Sequence, residues 1–243
     1  MMATEKLDYK KAYKELYLPK QKPTVVDVPA MKFIMVNGSG NPNDFSGEYQ
    51  QAVELVYGLS YTIKMSIKNG CEPKDYFDYV VPPLEGLWWI EEDTMDFTQK
   101  NKFSWTSMIR QPEFVTEEVF QWACEQLKRK KPKIDTSKAY LNTFSEGLCV
   151  QMMHIGPFDD EPKTIKLIET YIRENSFKNA ISSVEPDGRI RRHHEIYLSD
   201  SRKTAQEKLK TVLRHPVIKA VGSLEESNVN HKVNTEVLQE ALI

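Results

Sequence analysis

The segment 24–36, TVVDVPAMKFIMV, is rich in β-branched residues and predicts extended chain. It runs into Asn37-Gly38-Ser39-Gly40-Asn41-Pro42, a dense turn signal. Beyond it, Ala52, Val53, Leu55, Val56, Leu59 and Ile63 recur at helical spacing. They predict a long helix that Asp44 or Ser46 would cap and Gly70 would close. Extended runs over 76–90 and 102–110 flank a polar loop at 91–101. A second helix is expected over 116–131, with Thr116 as its cap and Val119, Phe120, Ala123 and Leu127 inward.

The second half repeats this order. A strand is expected at 148–155, a turn at 156–160 and a helix at 163–174 with Ile165, Ile168, Tyr171 and Ile172 on one face. Extended runs at 179–184 and 191–198 surround the turn Glu185-Pro186-Asp187-Gly188, and a short helix is expected at 204–213. Two strand–helix–strand–strand units, at about 22–134 and about 138–221, therefore make an α+β fold. Each unit alone leaves a sheet edge and an apolar face uncovered. The two should pair into one antiparallel sheet with helices on one face and a ligand groove on the other. A charged amphipathic arm, 1–21, offers Leu7, Tyr13, Leu16 and Tyr17 as docking points, and a largely polar tail occupies 222–243.

Composition narrows the function. With 33 Lys+Arg against 35 Asp+Glu in 243 residues, the net charge of −2 argues against nucleic acid as a direct electrostatic partner. The absence of a long apolar run argues against a membrane span, and the start MMATEKLDYKKAYKELY has no signal-peptide core. Three cysteines with no CxxC spacing indicate neither a disulfide framework nor a zinc site, so a cytoplasmic protein is expected. The adjacent His193-His194-Glu195 lacks metal-ligand spacing, and neither a metal nor another cofactor is called for. Protein partners and self-association are left open.

Two segments carry candidate chemistry. In RHHEIYLSD (192–200), strand alternation sets His193, Glu195 and Tyr197 on one face and Ile196 and Leu198 on the other. The apolar pair should face the helices and the polar three should face away. An offset that matches the strand at 102–110 with this segment sets Trp105 against His193, Ser107 against Glu195 and Ile109 against Tyr197, so the open face would carry a tryptophan as well. In LEGLWW (84–89), the adjacent Trp88 and Trp89 point to opposite faces, so one is core and the other lines the groove. A glutamate among aromatic walls recognises cations by charge and by the ring quadrupole. Desolvation in the same setting raises a carboxyl pKa, which suits acid–base work.

LEGLWW, HHEIYLSD with the following KLKTVLRHPV (208–217), and the duplicated plan together resemble the GyrI-like small-molecule-binding domain family. That family is related to the ligand domains of multidrug-responsive regulators and to cyclopropanoid hydrolases. The resemblance covers about residues 22–221 and implies a pseudo-twofold sheet with an aromatic groove around a buried glutamate, here Glu195. It implies binding of lipophilic, often cationic aromatic compounds. It alternatively implies hydrolysis of reactive xenobiotics or natural products, in which Glu195 activates water with help from Glu85 or Tyr197. Tyr197, Trp105, Trp88, Trp89, Glu85, Tyr140 and His193 complete the candidate ligand site. Too few residues precede the unit for a DNA-binding head, so any regulator role would need a separate chain.

Overall fold

A computed structural model describes residues 6–91 and 99–220. The expected tail at 222–243, most of the 91–101 loop and the start of the arm lie outside the described residues. The strands are β1 (Thr24–Val28), β2 (Met31–Ser39), β3 (Leu84–Trp89), β4 (Ser104–Arg110), β5 (Ala139–Phe144), β6 (Gly147–Ile155), β7 (Phe177–Asn179), β8 (His193–Tyr197) and β9 (Lys210–Lys219). The helices are α1 (Tyr9–Ala12), α2 (Lys14–Tyr17), α3 (Glu48–Lys64), α4 (Glu117–Lys130) and α5 (Glu161–Glu174). The strands form one antiparallel sheet in the order β1-β6-β9-β8-β3-β4-β2-β5, with β7 appended to β9.

The order reads the same from both ends once β1 is exchanged with β5, β2 with β6, β3 with β8 and β4 with β9. The expected α+β duplication is thus written into the topology. Its seam is the β3–β8 pair, where Gly86 lies opposite Glu195. Aligning the two strands from their first residues, Leu84 and His193, also sets Gly86 on Glu195. The pseudo-twofold axis therefore passes beside that pair, and β3 rather than β4 is the counterpart of β8. The matching of Trp105 with His193 is corrected accordingly.

Both long helices cover one face. α3 buries Ala52, Leu55, Val56, Leu59 and Ile63, and each fully buried aliphatic side chain contributes about 1.5–3 kcal/mol. α5 buries Ile165, Ile168 and Ile172 against Val150, Met152, Leu213 and Val217 of β6 and β9. α4 packs on α3, its Thr116 side chain accepting from the Val119 amide. The opposite face is covered by the arm. Leu16 and Tyr17 are buried there, and the Arg110 guanidinium lies over the Tyr9 and Tyr13 rings at 4.6 and 4.4 Å.

Several expected elements are redrawn. The stretch 24–36 is two strands, broken at Pro29-Ala30, and the long helix starts at Glu48 because Asp44 instead accepts from Ser46 within the preceding turn. Only 84–89 of the run 76–90 is strand, since Pro82-Pro83 cannot donate to a ladder. The edge strand β5 was not foreseen. Most of 179–184 is turn, held by an isolated bridge between Val184 and Ile190. The helix expected at 204–213 is a short 3-10 turn, Gln206–Lys208, followed by β9.

Candidate functional site

Every residue of β8 from His193 to Ile196 is buried, although three of the four are polar. The two faces of the strand belong to two separate networks. Pairing with β3 sets His193, Glu195 and Tyr197 on the same face as Trp88, and pairing of β3 with β4 adds Trp105. This is the face that α3 and α5 cover, so the expectation that these side chains point away from the helices is reversed.

Glu195 is 7% exposed. Its Oε2 accepts from the Tyr197 hydroxyl at 2.7 Å, and its Oε1 lies 3.1 Å from His193 Nε2. The Tyr197 oxygen in turn accepts from Trp88 Nε1 at 2.8 Å. Gly86 permits this chain. A Cβ there would stand 2.7 Å from Trp88 Nε1 and 3.2 Å from the Tyr197 oxygen, where the indole folds back across the strand.

The first turns of the two helices supply the walls. Tyr49, near the start of α3, has its ring centroid 5.2 Å from those of both Trp88 and Trp105. Phe103 meets Trp88 edge-on at 5.8 Å, and Phe158 meets Tyr197 edge-on at 5.9 Å. The Lys100 ammonium binds Asp159 at 2.7 Å, tying the segment before β4 to the turn before α5.

Glu161 opens α5 and is 3% exposed. Burial, reinforced by the Glu195 charge, pushes Glu161 well above the ordinary carboxylate range. The helix N-terminus pulls the other way by about 1 kcal/mol, too little to reverse this. Burial and the same charge push Tyr197 well above the usual phenol range, so it stays a donor. The His215 ring packs edge-on to His193 at 4.9 Å, and burial pushes it well below the usual imidazole value, so it is neutral.

The reverse face of β8 holds a second network under the arm. His194 lies 2.9 Å from Glu146 Oε2 and 3.1 Å from Glu85 Oε2. Arg214 donates to Glu146 at 2.9 Å, to Gln151 and to the Leu16 carbonyl. Tyr17 donates to Glu85 at 3.3 Å. His194 is buried, yet the two carboxylates outweigh its desolvation and raise it to about 9.

Of the residues singled out in the sequence, His193, Glu195, Tyr197 and Trp88 come together, with Trp105 joined to them through Tyr49. Glu85 does not join them: it lies on the opposite face and serves the arm network. Trp89 also faces away, with the Arg192 guanidinium 4.5 Å over its ring. Tyr140 is on that side too, donating to Asn37 Oδ1 at 2.9 Å on the outer strands. Glu161, Tyr49 and Phe158 were missed. The pair Glu161-Pro162 at the mouth of a helix was the available signal, since proline favours the first helical turn.

A carboxylate held by fixed donors, beside a carboxyl that keeps its proton and inside aromatic walls, can hold a cation or work as a base–acid pair. Among the described residues, no three His, Cys, Asp or Glu side chains cluster as metal ligands, and no helix is long and apolar enough to cross a membrane.

The model of the GyrI-like small molecule binding domain matches residues 21–218. Among solved structures, an uncharacterised conserved protein from Listeria innocua is 48% identical, with TM-score 0.80, covering 88% of this chain and 100% of its own. A protein described as a hydrolase from Listeria innocua is 46% identical, with TM-score 0.76 and the same coverage. The C-terminal domain of EcmrR, at 10% identity and TM-score 0.51, shares the fold over 82% of this chain and 98% of its own. No protein of curated function is similar enough to match. The palindromic sheet, the glycine-permitted Trp88–Tyr197–Glu195 chain and the match over 21–218 lead to one conclusion: the chain belongs to the GyrI-like small-molecule-binding domain family.

Proposed function

We propose that the aromatic cluster around Glu195 binds lipophilic aromatic small molecules, cationic ones among them. The observation that carries this reading is a buried carboxylate among Trp88, Tyr49, Tyr197 and Phe158, at the point where the two pseudo-repeats meet. A buried charge is costly unless compensated, and an aromatic cation supplies both the counter-charge and ring contacts. Phe158, whose ring meets that of Tyr197, is 40% exposed, so aromatic surface is available beside the cluster. A cytoplasmic setting and a role toward xenobiotics fit the three free cysteines and the unspecialised aromatic lining.

Glu195→Gln tests this by keeping the shape and removing the charge. Affinity for a cationic aromatic dye should fall by about 1–3 kcal/mol, while a neutral aromatic of the same size is little affected. Equal effects on both ligands would sink the reading.

Hydrolysis is the second reading, and Glu161 is what favours it. Burial and the Glu195 charge push Glu161 well above the ordinary carboxylate range, which suits it to act as the acid partner of Glu195. A relative of 46% identity is described as a hydrolase. Against a panel of strained or electrophilic aromatic compounds, Glu195→Gln should then lower turnover by about 10²–10⁴-fold with binding retained. Absence of turnover by the wild-type protein across the panel would leave binding alone.

A further inference from the structure

The face of the sheet away from the long helices is closed by the arm, whose end is held by its main chain. The Leu16 carbonyl accepts from Arg214 Nη2 at 2.8 Å, the Glu15 carbonyl from Gln151 Nε2, and the Lys20 carbonyl from the Met153 amide at 3.0 Å. The Tyr17 hydroxyl donates to Glu85 Oε1 at 3.3 Å. Two of these anchors, Arg214 and Glu85, belong to the buried network around His194.

That histidine lies between two carboxylates. Its Nδ1 is 2.9 Å from Glu146 Oε2 and its Nε2 is 3.1 Å from Glu85 Oε2, with the residue 1% exposed. A neutral imidazole has a single N–H and would turn a bare lone pair on one of the two oxygens. The docked arrangement therefore calls for both ring protons. We propose that the second of these protons latches the arm: as His194 gives it up to solvent, Leu16 and Tyr17 lift from the sheet.

The weak point after that loss is Glu85. Glu146 keeps the Arg214 guanidinium at 2.9 Å whatever the state of the ring. Glu85 is 1% exposed, and among the described residues His194 is its one ion-pair partner and Tyr17 its hydroxyl donor. A carboxylate left buried without its counter-charge is costly. Water reaches it once the arm, the layer above it, opens. One proton leaves per arm released, and the N–H is the only covalent bond that breaks.

The groups that face His194 leave it as the one that titrates. They are Glu85 on β3, Glu146 in the turn before β6, and Arg214 on β9, which pairs with His194 across the ladder. Behind them stand Tyr17 of the arm, Arg110 of β4, Cys149 of β6 and Arg191. Desolvation raises Glu146, but His194 and Arg214 outweigh it and hold it at about 2. Burial pushes Tyr17 and Cys149 far above the usual phenol and thiol ranges, and the arginines stay charged. Desolvation lowers His194, and the two carboxylates more than reverse this, to about 9. A ring exposed by arm opening returns to about 6.5. The docked arm thus holds the proton more tightly than the open one, and opening becomes about tenfold easier per pH unit between about 6.5 and 9.

Amide hydrogen exchange on the full chain, corrected for the intrinsic rate at each pH and run where exchange follows the opening equilibrium, tests the latch. Protection of the wild-type segment 13–18 should be constant below about pH 6.5, fall about tenfold per pH unit to about pH 9, and level off above it. At every pH it should stay below the protection of β2 and β4. His194→Gln, with no proton to lose, should give weak arm protection that does not vary with pH. Should that variant fail to fold, the wild-type profile decides alone. Arm protection that is flat in pH in the wild type overturns the latch, and a slope that survives in His194→Gln assigns the proton elsewhere and overturns it as well. Equal protection of the arm and the core strands at every pH also overturns it, because the arm would then leave only when the whole molecule unfolds.

Discussion

At the scale of single residues, the site depends on what Gly86 lacks. Adding one methyl group places a carbon 2.7 Å from Trp88 Nε1, so Gly86→Ala should push the indole off the Tyr197 hydroxyl. We expect a loss of about 1–3 kcal/mol in stability, the usual cost of overpacking, read as a lower urea midpoint with altered tryptophan fluorescence. Trp88→Phe removes the donor together with part of the buried indole and should cost about 2–3 kcal/mol. Because the new methyl group collides with the indole edge that Phe lacks, the two changes together should cost less than their sum. Additive costs would mean that the glycine serves something other than the Trp88 bond. Residue-level chemistry was legible only in part. Glu195 stood out as a carboxylate between rings in mid-strand. Which side it faced was not legible, because both faces of β8 carry buried polar groups and neither offers the apolar stripe that marks a core. Glu161 was hidden for a different reason: its burial comes entirely from tertiary packing.

At the scale of elements, β9 shows where pattern reading fails. Arg214 and His215 interrupt its apolar positions, yet they are 1% and 3% exposed. Paired against neighbouring strands, such residues can be buried mid-sheet, and no local periodicity announces it. The regular helices α3, α4 and α5 were legible because each keeps one face apolar against the sheet or another helix. The arm was legible as a docking segment through Leu16 and Tyr17, but its partner was not, since Glu85, Glu146, His194 and Arg214 come from four different strands or turns. That network makes a prediction about pH. The folded-state value of His194 is raised to about 9, above its ordinary 6.5, so the proton it binds on folding stabilises the protein below about 6.5. The contribution is lost as pH rises from there through about 9. The stability difference between wild type and His194→Gln, measured by urea unfolding, should therefore be largest near pH 6 and shrink by roughly 3 kcal/mol by pH 9.5. A difference that stays constant over this range would mean that His194 is neutral in the folded protein. Arg214→Met, which strands Glu146 without its guanidinium, should cost about 3–5 kcal/mol near neutral pH.

At the scale of the whole molecule, the palindromic sheet and the position of the two networks make the halves dependent on each other. The cluster around Glu195 takes Tyr49, Trp88 and Trp105 from the first unit and His193, Glu195 and Tyr197 from the second. The arm begins the first unit, but the main-chain carbonyl of Leu16 is held by Arg214 of the second, and Glu85 of the first faces His194 of the second. Cutting the molecule at the seam would bare the β3 edge on one piece and the β8 edge on the other, and would leave buried charges without partners on both. The link between α4 and β5 runs through exposed residues such as Lys131 and Lys133 and crosses no strand, so a chain break there should be tolerated. We therefore expect residues 1–134 and 135–243, expressed separately, to be aggregated or to self-associate through their free edges. Expressed together, they should elute as one compact species whose circular dichroism matches the intact chain and which binds the same aromatic cation. The asymmetry of the seam sharpens this expectation. Glu195 and Gly86 occupy equivalent places, and only their combination leaves room for one carboxylate and one folded-back indole. A homodimer of the first unit would set two glycines at the axis and have no carboxylate there, and a homodimer of the second would force two glutamates together. Either piece folding alone into a stable monomer, with a cooperative urea transition like that of the full chain, would show that the seam is a docking surface between independent domains rather than the centre of one core.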